Sequence, residues 1–338
     1  MMSSITDLFF AVLRAGLWEQ DLRLDAAPAA EDWQALLQIA REQAVLGLVY
    51  RGMAHIPADQ LPPSTVRMRL LADVDQLERR VRALVVVQEE LLTFFAKADL
   101  HPAVQKGTEA GKYYAQPFLR ESGDIDLFFP GGEFPRAKEL VREGLADAPQ
   151  TSSDGSLVYK YKGVTIEHHT RYFDLHVSAD CLPEVPSVIA ELVMLSAHIL
   201  KHAIGEGVGC KQLCDMARAL DRTDGTYDKA VLRDTLRRCG LLRWHQLLCS
   251  LLVSDLGLDP ARCLPDFVPR NPGPLRRIVL RGGAFGFADP ARRQAAGRGP
   301  VARKLHAAGA FLRRLPFSLR YAPRETLATV AELVKGNR

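Results

Sequence analysis

The chain has 338 residues, of which 47% are hydrophobic and 25% are charged. These ordinary globular values exclude a wholly disordered, collagenous or coiled-coil chain. No run of about 18 apolar residues occurs, so the sequence predicts no membrane-spanning helix. The N-terminal apolar residues are not preceded by a basic region, and the six cysteines are too scattered for a disulfide framework. We therefore expect a reduced, cytoplasmic protein.

Basic residues are concentrated at the C-terminal end of the chain. From Asp266 onward there are 15 Lys and Arg against 4 Asp and Glu, whereas the rest carries 29 against 36. Such a segment either contacts an anionic partner, such as a nucleic acid or a membrane surface, or forms an ordinary solvated face. The charge balance alone leaves both alternatives open.

Hydrophobic periodicity predicts the elements in chain order. It predicts two helices in the first hundred residues, at 32–57 and 64–98. Short apolar runs bounded by Pro and Gly then predict strands at 101–105, 125–129, 157–161 and 164–169, with a turn and short helix at 106–114 and a helix at 134–144. The last two strands flank Lys162-Gly163 and are predicted to form a β-hairpin. Helical patterns return at 186–204, 209–221, 228–239 and 241–254. Beyond them, only 301–315 and 323–335 are predicted to be helical.

This order predicts a mostly helical α+β protein with a small mixed-sheet core between helical regions. The predicted boundaries are an N-terminal helical region at 1–100, an α/β core at 101–180, a helical region at 181–257 and a basic, Arg-rich region at 258–338.

The most informative motif is a pair of aspartates at the start of a predicted strand, Asp124 and Asp126 in Gly123-Asp-Ile-Asp-Leu127. Side chains at i and i+2 of a strand share a face, so the two carboxylates point the same way. Two like charges this close are costly unless a cation lies between them. Mg²⁺ prefers such oxygen ligands and often retains phosphate oxygens as further ligands.

Two further segments extend this motif. Upstream, the Lys106-Gly107 turn leads into a short helix, where backbone N–H groups can approach a phosphate. Downstream, Glu167 is the best candidate for the third carboxylate of a two-metal site, with Asp174 next. Glu167 shares a strand face with His169, whereas His168 is predicted to face the core. A strand next to that of Asp124 would bring Glu167 onto the same polar face.

The pattern resembles the DNA polymerase β-like nucleotidyltransferase superfamily, and within it a bacterial branch described only as uncharacterised nucleotidyltransferases. The similarity covers about residues 30–220. The matching motifs are the Lys106-Gly107 turn, Arg120 before Gly123 to Leu127, and Glu167 with His169. The flanks are similar too, at Asp32 to Met53 and at His198, His202 and Asp215. The wider superfamily has Gly-Ser where this chain has Lys106-Gly107, so Lys106 would replace a serine contact by charge.

The resemblance implies a polymerase β-like core that transfers an NMP from an NTP, such as ATP, to a hydroxyl or other nucleophile of an acceptor, with release of pyrophosphate. Two Mg²⁺ ions, for which Mn²⁺ can substitute, are assigned to Asp124, Asp126 and Glu167. The nucleotide-binding residues would be Lys106, Gly107, Arg120 and Gly123, with His169 as an accessory residue.

Several alternatives stay open. The acceptor could be a sugar, an antibiotic-like molecule, a protein side chain or a nucleic-acid end. The rival function is a non-catalytic nucleotide-binding or nucleic-acid-binding protein that retains the fold, although all three carboxylates are present. Arg120 could instead be a structural partner of a carboxylate.

Two other features favour packing over function. His198 with His202 and Cys210 with Cys214 have the spacing of zinc ligands on a helix, but the pairs lie on different predicted helices. Free cysteines are commonly buried, so a core role is favoured for these residues. Tyr113 and Tyr114 are likewise predicted to pack rather than to stack on a base.

Overall fold

The structure is a computed structural model, which describes residues 4–146, 148–152, 155–173, 187–205, 207–286 and 300–334. The chain divides into two compact units. The first comprises residues 1–74 and 174–330, and the second comprises residues 75–173 and 331–338. None of the helices in these ranges is both long and apolar enough to cross a bilayer.

Helices dominate the described residues. They are α1 (Ile5–Trp18), α2 (Ala30–Glu42), α3 (Leu46–Met53), α4 (Ser64–Ala96), α5 (Phe134–Gly144), α6 (Val188–Ile204), α7 (Cys210–Arg222), α8 (Lys229–Arg238), α9 (Leu242–Leu256), α10 (Gly273–Gly282), α11 (Pro300–Tyr321) and α12 (Pro323–Val334). The strands are β1 (Ala103–Gln105), β2 (Asp124–Phe128), β3 (Gln150–Thr151), β4 (Leu157–Tyr161) and β5 (Val164–His169). The predicted α+β, mostly helical class is confirmed.

The prediction of one helix over 32–57 is wrong, because the chain breaks between α2 and α3 at Gln43. The Gln43 side chain is buried. It accepts a hydrogen bond from the Cys210 backbone N–H (2.9 Å) and donates one to the Val279 carbonyl (3.1 Å). Ala44 then adopts a left-handed φ of 53°. A buried glutamine that joins two distant segments leaves no periodic pattern in the sequence. Hydrophobic spacing alone therefore predicted one continuous helix.

The C-terminal prediction also needs correction, since α10 forms where no helix was expected. Its N-terminal end carries Pro272, Gly273 and Pro274 and its C-terminal end carries Gly282 and Gly283, which hid the helical spacing. A salt bridge between Arg276 Nε and the buried Asp255 (2.6 Å) ties α10 to α9. Such long-range pairing makes a short helix stable when its own propensity is weak.

In the first unit, helices α1 and α3 cross at two glycines. A Cβ atom on Gly16 would overlap the carbonyl oxygen of Leu48 and lie 2.6 Å from the backbone N of Gly52. A Cβ atom on Gly52 would in turn lie 3.1 Å from the N of Gly16. The two backbones can therefore approach this closely only because both residues lack a side chain.

In the first unit, the positions of the four candidate zinc residues agree in part with the predicted packing role. Cys210 and Cys214 are both fully buried. The rings of His198 and His202 stack edge to face, with centroids 4.4 Å apart. In the part of the chain that the structure describes, neither pair belongs to a cluster of three or more metal-ligating side chains.

His245 gives the first unit a predicted acid sensitivity. The ring is fully buried in α9, its Nδ1 lies 3.3 Å from Ser196 Oγ, and burial lowers its pKa to about 4. The folded state therefore keeps His245 neutral, whereas the unfolded chain binds a proton below about pH 6.5. Above about pH 6.5, His245 therefore does not lower the free energy of unfolding. The free energy of unfolding falls as the pH decreases from about 6.5 toward 4.

Between pH 7 and pH 5, we expect protonation of His245 in the unfolded chain to lower the free energy of unfolding by about 2 kcal/mol. His245→Gln should remove that part of the pH dependence, because glutamine does not titrate. Urea unfolding of both proteins across this range measures it. In the other unit, burial lowers the pKa of His168 to about 3. His168 therefore adds a similar pH-dependent fall in the free energy of unfolding, which is the same in both proteins. Equal pH dependence of the two proteins would contradict the prediction.

The second unit is built on a five-stranded sheet with the order β1-β2-β5-β4-β3. Strands β2 and β5 are parallel, and all other pairs are antiparallel. The predicted hairpin between β4 and β5 is confirmed, with left-handed φ values at Lys162 and Gly163. One face of the sheet is the core, formed by residues such as Ile125, Leu127 and Ile166 against Leu91 and Phe95 of α4.

Candidate active site

The polar face of the sheet carries the predicted carboxylates. Ile125, Leu127 and Ile166 point into the core, so their neighbours in sequence point to the opposite face. In the parallel register, Asp126 lies beside Glu167 and Asp124 lies beside Thr165. The prediction that the Glu167 strand neighbours the Asp124 strand is therefore confirmed.

Asp126, Glu167 and His169 form a compact cluster on this face. His169 Nε2 is hydrogen-bonded to Asp126 Oδ1 (2.6 Å) and lies 3.8 Å from Glu167 Oε2. One ligand atom from each residue lies within 4.8 Å of the other two. Asp126 and His169 are buried, with exposed fractions of 7% and 8%. Two carboxylates and an imidazole are a donor set that fits a divalent metal ion.

The electrostatics of Glu167 point the same way. Burial raises the pKa of its carboxyl group, and the charges of Asp126 and Asp124 raise it further. His169 and Lys106 act in the opposite direction. Burial is thus the main cause of the raised pKa, and the two aspartates add negative charge that a bound cation would offset.

Asp124 is placed differently from Asp126. It is the half-buried first residue of β2 and lies two positions before Asp126 on the same face. It contributes charge to Glu167 but does not belong to the compact cluster of three. The structure thus brings Asp126 together with Glu167, with Asp124 at the margin of the cluster.

The Lys106-Gly107 turn closes against the start of β2. Both residues have left-handed φ values, of 52° and 42°. A Cβ atom on Gly107 would lie 3.3 Å from the Asp124 carbonyl oxygen and 3.4 Å from Ser122 Oγ, so a side chain there would crowd the turn. Lys106 is largely buried, and its ammonium group acts on the charge of Glu167. A short 3-10 helix follows at Glu109–Tyr113.

Arg120 and Gly123 lie in the loop before β2. Arg120 is buried, and its Nη1 donates hydrogen bonds to the Glu121 carbonyl (3.0 Å) and to Ser122 Oγ (3.3 Å). These bonds hold the loop that delivers Asp124 to the sheet. Gly123 is exposed, and a Cβ atom on it would meet nothing within 4 Å, so packing does not explain a glycine there.

Two buried polar residues near the cluster were not singled out from the sequence. Ser122 contacts Arg120 and faces Gly107, and Gln105 lies beside Asp126 in the β1–β2 register. Gln105 Nε2 donates to the carbonyl of Tyr172 (2.8 Å), which fixes the segment after β5. Only their positions in the sequence could have indicated these two residues, since each lies next to a predicted motif.

The remaining aromatic and histidine predictions concern packing. His168 is fully buried, its Nε2 lies 3.0 Å from the Tyr159 hydroxyl, and its predicted core position is confirmed. Tyr113 and Tyr114 are both buried, as packing residues are. Asp174, the reserve candidate for the third carboxylate, lies outside the described residues, as does 287–299 of the basic region.

Acidic residues on two adjacent parallel strands of a small mixed sheet, beside a glycine turn, form an arrangement that suits metal-assisted phosphoryl chemistry. The chain belongs to the family described as uncharacterised nucleotidyltransferase, which matches residues 29–256. That range contains every candidate site residue. No curated protein and no solved structure matches the chain.

Proposed function

We propose that this nucleotidyltransferase moves an NMP from an NTP, such as ATP, to a hydroxyl or other nucleophile of an acceptor and releases pyrophosphate. The cluster of Asp126, Glu167 and His169 on the polar sheet face is the observation that carries the proposal. Nucleotidyl transfer needs positioning and charge neutralisation more than covalent chemistry, and carboxylates that hold divalent cations supply both.

Asp124, Asp126 and Glu167 would hold two Mg²⁺ ions, with the Asp126–Glu167–His169 side facing the acceptor. Bound there, the ions would neutralise phosphate charge and lower the pKa of the acceptor hydroxyl. Asp126 would contribute to both positions, because it lies between Asp124 along β2 and Glu167 across the sheet.

The triphosphate would bind at the opposite end of the cluster, where the Lys106-Gly107 turn packs on β2. Lys106 would contribute its ammonium charge and Gly107 its backbone N–H. Arg120 orders the loop around Gly123 through its bonds to Glu121 and Ser122. With the phosphates at the turn, the acceptor would bind on the Glu167 side, so that the attacking and leaving oxygens lie roughly in line with the transferred phosphorus.

The acceptor remains one of the classes named above, and the basic region at 258–338 is a candidate surface for an anionic one. We further propose a cytoplasmic location. The six cysteines are scattered along the chain and provide no disulfide framework, which suits a reducing compartment.

Incubation with each labelled NTP and Mg²⁺ tests the activity directly. We expect release of pyrophosphate and transfer of label to an added acceptor or to the protein itself. Nucleotide binding without pyrophosphate release, over the full set of acceptor classes, would favour the non-catalytic binding protein instead.

Glu167→Gln separates catalysis from binding. Because Glu167 is assigned to the cation facing the acceptor, its charge should matter mainly in the transition state. We expect kcat to fall about 10²-fold while NTP affinity stays within about threefold. Pyrophosphate release and calorimetric NTP titration measure the two effects.

Glu143→Gln is the matched control for this change, because Glu143 is exposed on α5 of the same unit. It should leave both quantities unchanged. Equal losses of kcat and NTP affinity in Glu167→Gln would place Glu167 in nucleotide binding, and unchanged turnover would remove it from the site.

A further inference from the structure

We propose that His169 is itself a metal ligand, and that the acceptor-side position formed with Asp126 and Glu167 thereby favours a first-row transition cation such as Mn²⁺ over Mg²⁺. The inference rests on the proposed function for the location of the metal. It goes beyond it by assigning the imidazole a direct role and by distinguishing the two cation positions.

The geometry of His169 is that of a ligand rather than of a remote support. The same nitrogen, Nε2, faces both carboxylates, at 2.6 Å from Asp126 Oδ1 and 3.8 Å from Glu167 Oε2. A histidine that only oriented Asp126 would need one contact to it and none to Glu167. All three ligand atoms lie within 4.8 Å of one another, so one ion would bind them together by replacing the hydrogen bond between His169 and Asp126.

Burial makes this donor set selective. Asp126 and His169 are both more than nine-tenths buried, so few water molecules can replace a protein ligand at their side of the cluster. Mg²⁺ is a hard ion that usually retains several waters and oxygen ligands. Imidazole nitrogen instead binds more strongly to the transition cations, along the series that begins with Mn²⁺.

The neighbouring histidine shows that this placement depends on one residue. His168 points to the other face of the sheet, where its Nε2 contacts the Tyr159 hydroxyl and its ring packs against Phe95 and Phe129. Of the two adjacent imidazoles, only that of His169 reaches the carboxylates. Its replacement therefore changes the donor set of the cluster while the core contacts of His168 stay in place.

His169→Gln tests the proposal without any turnover measurement. Glutamine offers an amide oxygen, a harder ligand, in place of the imidazole nitrogen. Mn²⁺ affinity is measured by electron paramagnetic resonance titration, and Mg²⁺ affinity by competition with Mn²⁺. We expect Mn²⁺ affinity to fall at least about tenfold and Mg²⁺ affinity to change by less than about threefold. The control is His101→Gln, because His101 is exposed. This substitution should change neither the Mn²⁺ affinity nor the Mg²⁺ affinity.

A second measurement keeps the proposal testable if His169→Gln does not fold. Pulsed electron paramagnetic resonance of Mn²⁺ bound to the unaltered protein should show magnetic coupling to one histidine ¹⁴N nucleus. Absence of that coupling, or an unchanged ratio of Mn²⁺ to Mg²⁺ affinity in a folded variant, overturns the inference.

The proposed function fails in a different way. If the protein releases pyrophosphate with Mg²⁺ but shows no ¹⁴N coupling with Mn²⁺, only the role of His169 is wrong. If Mn²⁺ couples to a histidine ¹⁴N but no NTP is converted with either cation, the metal site stands and nucleotidyl transfer does not.

Discussion

Asp126→Asn should lower nucleotidyl transfer about 10³-fold or more while the protein stays folded. We assign Asp126 to both candidate cation positions, since it follows Asp124 on the same face of β2 and lies beside Glu167 across the sheet. Asparagine keeps the size of the side chain but removes its charge. Losing several kcal/mol of metal-mediated stabilisation of the transition state corresponds to this fall in rate.

The stability of Asp126→Asn carries the second half of this prediction. In the absence of metal, removal of one charge relieves the repulsion that contributes to the raised pKa of Glu167. We therefore expect an unchanged or higher Tm without metal. We also expect divalent cations to raise the Tm of the unaltered protein but not that of the variant. Asp99→Asn is the control, because Asp99 is an exposed aspartate of the same unit. A large fall in Tm without metal would show that Asp126 is a structural residue.

Gly16→Ala should destabilise the first unit by about 3 kcal/mol or more. Its single methyl group would overlap the Leu48 carbonyl and crowd the Gly52 backbone, and a backbone cannot rotate away as a flexible side chain can. Relief of the overlap requires α1 to move away from α3, which would open contacts of the buried residues Phe9, Val12 and Leu13.

Urea unfolding measures this loss against Gly309→Ala in α11 of the same unit. A Cβ atom on Gly309 would make only an ordinary contact, 3.5 Å from Arg313 Nη1, so alanine there should be neutral or slightly stabilising because of its helix propensity. Equal unfolding free energies for the two variants would show that the helices can separate at little cost.

The regular elements of the second unit could be predicted from the sequence because neighbouring residues determine them. Alternation of apolar and polar residues gave the bounds of β4 and β5, and it gave those of β2 to within one residue. The same alternation assigned His168 and Glu167 to opposite faces. The Lys162-Gly163 turn indicated the hairpin, and both residues adopt the left-handed φ that a tight two-residue turn needs.

The features that sequence could not supply all depend on distant partners. The contact of His169 with Asp126 rather than Asp124 is set by the β2–β5 register, which no local pattern encodes. The break at Gln43 follows from its bonds to Cys210 and Val279.

The parallel pairing of β2 with β5 also has a consequence for how the protein folds. The chain leaves the sheet after Phe128, builds α5 and the hairpin of β4 and β5, and only then returns to β2. The hydrogen bond between Asp126 and His169 spans 43 positions of the chain, whereas the hairpin is closed by two residues. Local contacts form quickly and long-range pairing requires closure of a large loop. We therefore expect the hairpin to form first, and the carboxylates to meet only when its β5 edge docks on β2. An intermediate that has formed the hairpin but not this pairing would be helical and compact, yet it would have no assembled cation cluster.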